Sequence, residues 1–413
     1  MSEKIAHTML RGRNHGGFPI MPAIPIVRDV AFERRCGYPR CTMNDAPLRT
    51  DDLEYDLPET LIARRPAVPR EDARLMVVPL DRDDIIHARI GDFPSFIRSD
   101  DALVFNNTTV IPARFEGERT DSGGRIEGLF LGEESNEEHP HAWRVMLRSN
   151  SKLRPGIRLS LIGADGTRVQ ATVGDRLGDH WQLRLNDDRS PVEVLDEVGR
   201  TPLPPYILRA RRTAGEMIDD ADDRAWYQTV FADADQAGSV AAPTAGLHFT
   251  PAMLAVLDAR GIRRETVTLH VGPGTFKPIE SDTVQGHPMH REFYEVPPAT
   301  IRMLAERRMK STGGRVIAVG TTTVRTLESL PSALDANAQA PIAGSTKLLI
   351  APPYSCHHVD GLLTNFHLPR STLLALVAAL VGLDRLMACY REAVAEGYRF
   401  YSYGDAMLVL PSV

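Results

Sequence analysis

The chain has 413 residues, 43% of them hydrophobic and 25% charged, an ordinary globular composition with room for two or three domains, which excludes a fibrous or wholly disordered protein and a single small binding module. Its formal charge is −6, and because residues 1–42 hold seven Lys/Arg against three Asp/Glu, residues 43–413 carry −10; a nucleic-acid partner has to be met by local basic clusters rather than by overall charge. The longest uncharged apolar stretch, Ser371 to Leu383, is 13 residues long, short of the roughly 20 of a bilayer span, and the N-terminus lacks the apolar region of a secretory signal, so a cytoplasmic protein without a membrane partner is expected.

Residues 1–50 are rich in Arg, Pro and Gly without a lasting apolar period and read as a disordered extension. Met43 opens a short polar lead before the first organised segment and is an alternative start. Cys36 and Cys41 are spaced more widely than a zinc-ribbon pair, with no second pair following, so no structural zinc is expected. From Tyr55 the texture is globular: a helix starting at Pro58, then short apolar runs at Arg74–Pro79 and Ala102–Phe105 that read as strands.

Between Ala113 and Leu203 lie five short alternating segments, 125–131, 143–147, 157–162, 168–173 and 181–185, separated by turn residues and without a helical period. They predict an inserted antiparallel barrel or sandwich. After Pro204-Pro205 the chain returns to longer βα units, the clearest being a strand at Arg315–Gly320, a turn at Thr321–Thr323 and a helix from Val324 to Leu330. The expected class is α/β, a layered main domain with an inserted small antiparallel β domain. Its boundaries are an extension at 1–50, a discontinuous α/β catalytic domain at 51–112 and 204–413, and the insert at 113–203.

Several loops carry residues suited to chemistry. Thr250-Pro251 is an N-cap followed by Pro at the first helical position, and Gly261 ends that helix; Thr244, Gly246 and His248 fall in the loop entering it. Thr266–Val271 reads as a strand running into Gly272 and Gly274, glycines that permit close approach of a ligand. His287, His290 and Glu292 have metal-like spacing but no helix to align them, so no metal is assigned. Amides at Thr321 and Thr322 suit a phosphate or carboxylate, with Arg325 close by. Asn365 and His367 precede the apolar helix from Ser371, and Asp405 lies in a Tyr-rich loop near the C-terminus.

Taken together these stretches resemble the S-adenosylmethionine:tRNA ribosyltransferase-isomerase family of queuosine biosynthesis. The resemblance is carried, in order, by Tyr55-Asp56-Leu57-Pro58-Glu59, Val110-Ile111-Pro112-Ala113-Arg114, Pro202-Leu203-Pro204-Pro205-Tyr206-Ile207 and Tyr227-Gln228-Thr229-Val230. It continues through the long stretch from Ser239 to Thr250, Thr268–Gly272, Gly320-Thr321-Thr322, Thr364–Pro369 with Ser371–Leu374, and Tyr403–Met407. It implies that the insert is a β-barrel. It also implies transfer of the ribosyl part of S-adenosylmethionine to 7-aminomethyl-7-deazaguanine at the tRNA wobble position, giving epoxyqueuosine-tRNA, adenine and methionine. S-adenosylmethionine is then a co-substrate, no metal or other cofactor is expected, and a monomer is expected.

That chemistry needs a base for a proton beside the sulfonium and an acid for the departing adenine, roles that histidines with pKa near 6.5 fit. His248, His270 and His367, each beside a Gly or Pro turn, are expected to line one pocket at one end of the α/β sheet. Substrate contacts are expected from Thr244, Gly246, Gly272, Gly274, Thr321, Thr322, Arg325, Asn365 and Asp405. Two basic clusters, Arg209/Arg211/Arg212 and Arg307/Arg308/Lys310, are candidates for tRNA phosphates. The chain departs from the family pattern at Asn107 and Thr109, where the family commonly has Asp and Arg, and at Ser355–His358. Those changes keep open a divergent paralogue acting on a small molecule, while retention of the three histidines speaks against a catalytically silent RNA-binding relative.

Overall fold

The computed structural model describes residues 47–134, 139–217, 219–272, 274, 278–309 and 314–413, all within one compact unit, Gly37–Val413. In chain order, β1 (Arg74–Pro79), β2 (Ile86–Arg89), β3 (Ala102–Asn106) and the two-residue β4 (Thr109–Val110) come first. The insert follows with β5 (Arg114–Arg119), β6 (Arg125–Glu133), β7 (Ala142–Ser149), β8 (Arg158–Ile162), β9 (Arg168–Leu177), β10 (His180–Leu185), α1 (Pro191–Val198) and β11 (Gly199–Arg200). The chain then makes α2 (Pro205–Thr213), α3 (Asp220–Trp226), β12 (Ala237–Ser239), α4 (Pro251–Ala259), β13 (Arg263–Leu269), β14 (Glu292–Val296), α5 (Pro298–Met309) and β15 (Val316–Val319). It ends with α6 (Thr321–Glu328), β16 (Ile342–Thr346), β17 (Gly361–Asn365), α7 (Thr372–Val381), α8 (Leu383–Ala395) and β18 (Ala406–Leu410).

The main sheet has the order β16-β14-β13-β3-β15-β17-β18-β1-β2. Its centre, β13-β3-β15-β17, is parallel, and the direction reverses between β17 and β18. Alternate residues of each strand face opposite layers: Met76, Val104, Ala318 and Leu362 pack with residues of α5 to α8, whereas Val77, Leu103, Ile317 and Leu363 pack under Phe93, Met253 and Leu257. Being covered on both faces explains why these strands read as continuous apolar runs.

The second sheet closes on itself through β5-β6-β7-β10-β9-β8 and back to β5, with β11 added beside β5. This is the inserted antiparallel barrel, filled by Phe115, Trp143, Val145, Leu161 and Leu183. Gly128 permits its closure, because a Cβ there would come within 2.1 Å of the buried Phe115 ring.

Several local expectations are corrected. Residues 47–50 are packed rather than part of a disordered extension: Leu48 and Thr50 are buried, and the Thr50 N–H donates to Asp282 O at 3.0 Å. The rest of the extension, with Cys36, Cys41 and Met43, lies outside the described residues. At Pro58 only a 3₁₀ turn forms, Glu59–Leu61. The insert has a sixth barrel strand, β5, and a helix, α1, whose Ser190–Glu193 capping box and Pro191 start it and whose Val194, Leu195 and Val198 enter the barrel core. Helix α6 begins at Thr321, not Val324, and the apolar helix after Ser371 breaks at Gly382, where α7 and α8 meet at 114°. No single helix among the described residues is long and apolar enough to cross a membrane.

Candidate active site

The parallel strands β13, β3, β15 and β17 all end at one edge, where open α/β sheets bind ligands. Because β18 runs antiparallel to β17, with Asn365 opposite Ala406, the loop leading into β18 reaches that same edge. An open cleft lies there, lined by Pro243, Thr244 and Ala245 ahead of α4, Val271 after β13, Gly320–Thr322 at the start of α6, Thr364–Leu368 at the end of β17, and Tyr401-Ser402. Tyr206 of α2 closes one side: its hydroxyl is 2.5 Å from Ser402 Oγ and its ring centroid 4.5 Å from that of Tyr401.

Of the three candidate histidines, only His367 lines this cleft. Its peptide is held from both sides, the N–H donating to Tyr390 Oη at 2.9 Å and the carbonyl accepting from the Tyr55 hydroxyl, while Nε2 lies 2.8 Å from Thr364 Oγ1. Burial lowers its pKa to about 3. His248 stands behind Asn365, whose Nδ2 is 3.2 Å from His248 Nε2, and faces a small recess with Arg70 and Tyr403. Burial, with Arg70 and Arg399 nearby, lowers its pKa to about 3 as well. His270 points away from the cleft, because its neighbour Val271 points in and successive residues of an extended chain alternate. Its Nδ1 is 2.9 Å from Thr108 Oγ1, and burial lowers its pKa. The expectation of one pocket shared by all three is therefore corrected, and so is that of groups titrating near 6.5.

Among the expected substrate contacts, Thr244, Thr321, Thr322 and Asn365 line the cleft. Gly246 instead packs on Phe231, and Gly274 packs on His290. The Gly272 N–H lies 3.4 Å from Glu292 Oε1. Arg325 and Asp405 are corrected to internal roles. Arg325, 4% exposed, is ion-paired with Glu292 and donates to Leu348 O at 3.1 Å. Asp405, 2% exposed, accepts from the backbone N–H groups of Arg74 at 3.0 Å and Arg399 at 2.8 Å. Glu292 is committed to Arg325, and among the described residues no group of three or more His, Cys, Asp or Glu is placed to hold a metal.

Sequence reasoning had not assigned Tyr206, Thr364, Tyr401 or Ser402 to the site. The sequence signal for Tyr401 was its Tyr-Ser-Tyr-Gly motif; the structure adds that its φ is 73°, a backbone region uncommon for a bulky residue. The departures at Asn107 and Thr109 are bonded within the protein, whereas both ring nitrogens of His358 are buried with no hydrogen-bond partner among the described residues. Asn107 Oδ1 accepts from Thr268 Oγ1 at 2.7 Å, Thr109 Oγ1 donates to Asp233 O at 2.6 Å, and the backbone N–H groups of His357 and His358 are tied to Glu328.

The basic clusters divide by burial. Arg211 is 5% exposed and makes two bonds to Asp223, at 2.7 and 2.8 Å, so it is a structural residue. Arg209 and Arg212, on the same helix as Tyr206, are exposed. They are joined by Arg64, Arg65 and Arg399: Arg211 Nε donates to Arg64 O at 2.9 Å, and Arg399 Nη1 to Arg65 O at 3.4 Å. The second cluster sits at the opposite edge of the sheet. Arg307 is half-buried beside Asp101, Arg263 and Asp360, residues at or just before strand starts, and burial lowers its pKa. Arg308 is exposed and donates to Ser332 O, and Lys310 lies outside the described residues.

Residues 50–409 match the family model described as queuosine biosynthesis protein. The S-adenosylmethionine:tRNA ribosyltransferase-isomerase of Anaeromyxobacter dehalogenans is 48% identical over 366 residues, covering 88% of this chain and 99% of that protein. That of Gloeobacter violaceus is 47% identical over 362 residues, covering 88% and 96%. A crystal structure of S-adenosylmethionine tRNA ribosyltransferase from Thermotoga maritima is 34% identical, covers 87% of this chain and 100% of that one, and has a TM-score of 0.46.

Proposed function

The chain belongs to the queuosine biosynthesis protein family, and from that premise we propose that it is an S-adenosylmethionine:tRNA ribosyltransferase-isomerase. It moves the ribosyl moiety of S-adenosylmethionine onto 7-aminomethyl-7-deazaguanine at the tRNA wobble position and releases adenine and methionine. The observation that carries this reading is convergence: the stretches Pro243–Ala245, Gly320–Thr322 and Thr364–Leu368, far apart in sequence, line one cleft at the C-terminal edge of the parallel strands.

His367 is the group on the cleft wall suited to act on a substrate proton. Its place on the cleft wall and its peptide fixed by Tyr55 and Tyr390 carry this assignment; burial lowers its pKa, which keeps it uncharged but makes it a weak base until a bound substrate raises that pKa. His248 acts through Asn365. The acceptor tRNA approaches across Arg209 and Arg212, beside Arg64 and Arg65, which share Glu216, and Arg399, which pairs with Asp405, so that a phosphate competes with these carboxylates for the guanidinium groups. We assign no cofactor beyond the co-substrate, and place the reaction, by a monomer, in the cytoplasm. Nothing favours a small-molecule acceptor, since Asn107 and Thr109 are bonded within the protein.

The test is incubation of the protein with S-adenosylmethionine and tRNA bearing the deazaguanine precursor. Adenine release and a matching gain in tRNA mass are expected. Adenine release that proceeds equally without tRNA, or with the free base alone, would overturn the reading.

A further inference from the structure

We propose that the cleft grips the α-amino-acid head of S-adenosylmethionine, its carboxylate on the N-terminus of α6 and its ammonium on Asn365 Oδ1. This rests on the functional reading above. Asn365 lines the cleft and is 3% exposed. Its amide orientation is fixed by chemistry: the Tyr401 carbonyl can only accept, so the nitrogen that meets it at 3.1 Å is Nδ2. The other hydrogen of that nitrogen goes to His248 Nε2 at 3.2 Å, which places the proton of the neutral imidazole on Nδ1. Asn365 Oδ1 is left buried with no partner among the described residues, a state that calls for a donor.

The second half of the grip is the start of α6. No side chain caps that helix, and its N-cap, Gly320, has φ of 95°, a conformation open to glycine. Its first-turn N–H groups and dipole favour an anion. Val319 of β15 and Leu363 of β17 are partners in register, so the turn at Gly320-Thr321 lies beside the last residues of β17, Thr364 and Asn365, on the neighbouring strand. Gly320–Thr322 and Asn365 line the same cleft, so one ligand lying in it can meet both the helix N-terminus and the amide. Among the described residues lining the cleft there is no Lys, Arg, Asp or Glu, so the groups they offer a zwitterionic head are backbone amides and neutral side-chain oxygens.

The experiment compares S-adenosylhomocysteine, which has the head, with 5′-methylthioadenosine, which lacks it, by calorimetric titration of the full chain. Asn365→Leu is expected to weaken S-adenosylhomocysteine about tenfold, the size of one charge-assisted hydrogen bond, and to leave 5′-methylthioadenosine within twofold. Equal weakening of both ligands, or of neither, overturns the assignment. If Asn365→Leu does not fold, Asn365→Ser shortens the side chain and must give the same split. Adenine release by the wild-type protein tests the function separately. A protein that releases none, yet loses only the head-bearing ligand on substitution, overturns the function and keeps this assignment.

Discussion

Arg209 and Arg211 sit two residues apart on α2 and obey opposite physics. Arg211→Met removes the guanidinium that holds Asp223 bidentately, in a place where the two residues are 5% and 6% exposed. Breaking a buried pair from one side leaves a charge without compensation and costs about 3–5 kcal/mol. The double variant Arg211→Met/Asp223→Leu should recover most of that, since a buried pair exchanged for apolar residues is often neutral. Arg209, by contrast, has a side chain 78% exposed, facing a Glu59 that is 65% exposed. A surface pair of this kind is worth about 0–1 kcal/mol, so Arg209→Ala should unfold within about 0.5 kcal/mol of the parent. Its effect belongs to tRNA: weaker binding, and a salt dependence flattened by about one unit of slope if a phosphate contact is lost. Urea unfolding followed by circular dichroism reads the first property, and tRNA binding between about 50 and 200 mM salt reads the second. An unmoved unfolding midpoint in Arg211→Met, or an unchanged salt slope in Arg209→Ala, refutes the division between them.

Burial lowers the pKa of His248 and His367 to about 3 in the folded protein, from the ordinary histidine value near 6.5. The unfolded chain takes up these protons first, so their contribution is intact above pH 6.5 and is lost as pH falls toward 3. The expected slope near pH 5 is about 1.4 kcal/mol per pH unit for each histidine, and Gln at both positions should flatten urea midpoints plotted against pH. His367→Ala should lower adenine release by about 100-fold or more while leaving tRNA affinity unchanged; a folded variant with normal turnover contradicts a role in the chemistry. Gly128→Ala should destabilise the protein by about 1–3 kcal/mol through overpacking against Phe115, measurable in the same unfolding assay and relieved by Phe115→Leu.

The parts of the fold that were legible in sequence are those set by local chemistry. The Thr250 cap, Pro251 and the turn at Gly261 marked α4, and unbroken apolar runs marked β1 and β3 because both sheet faces are covered. Helix α1 was hidden by its brevity among strands, although the Ser190–Glu193 capping box was there to be read. Strand β5 was hidden by its charges: Arg114, Glu116 and Glu118 face outward between Phe115 and Gly117. In the site, the cleft-lining loops were legible as motifs, but the direction of each side chain was not. Arg211 looks like its neighbours until one notes that it lies four residues after the buried Ile207, on the helix face turned inward. Its partner Asp223 belongs to a different helix. Similarly, no local pattern says that His270 points away from the edge its strand leads to, since that depends on which of two alternating faces meets the cleft.

The reversal between β17 and β18 accounts for much of the site's character. Had β18 run parallel to β17, the residues just before it would have emerged at the far edge. Running antiparallel, with Ala406 opposite Asn365, it brings the preceding loop with Tyr401 and Ser402 to the cleft beside Asn365. The Tyr401 carbonyl then fixes the Asn365 amide, the amide fixes the tautomer of His248, and Tyr401 and Ser402 hold Tyr206 of α2. The same helix carries Arg209 one turn further on, exposed to solvent. One strand direction thereby couples the orientation of a buried amide in the cleft to the placement of the basic rim. Substitutions at Tyr206 should for that reason disturb both ligand affinity and tRNA affinity. Loss of Arg209 should disturb tRNA binding alone, and a Tyr206→Leu variant that keeps both affinities would show that the coupling is not made through this contact.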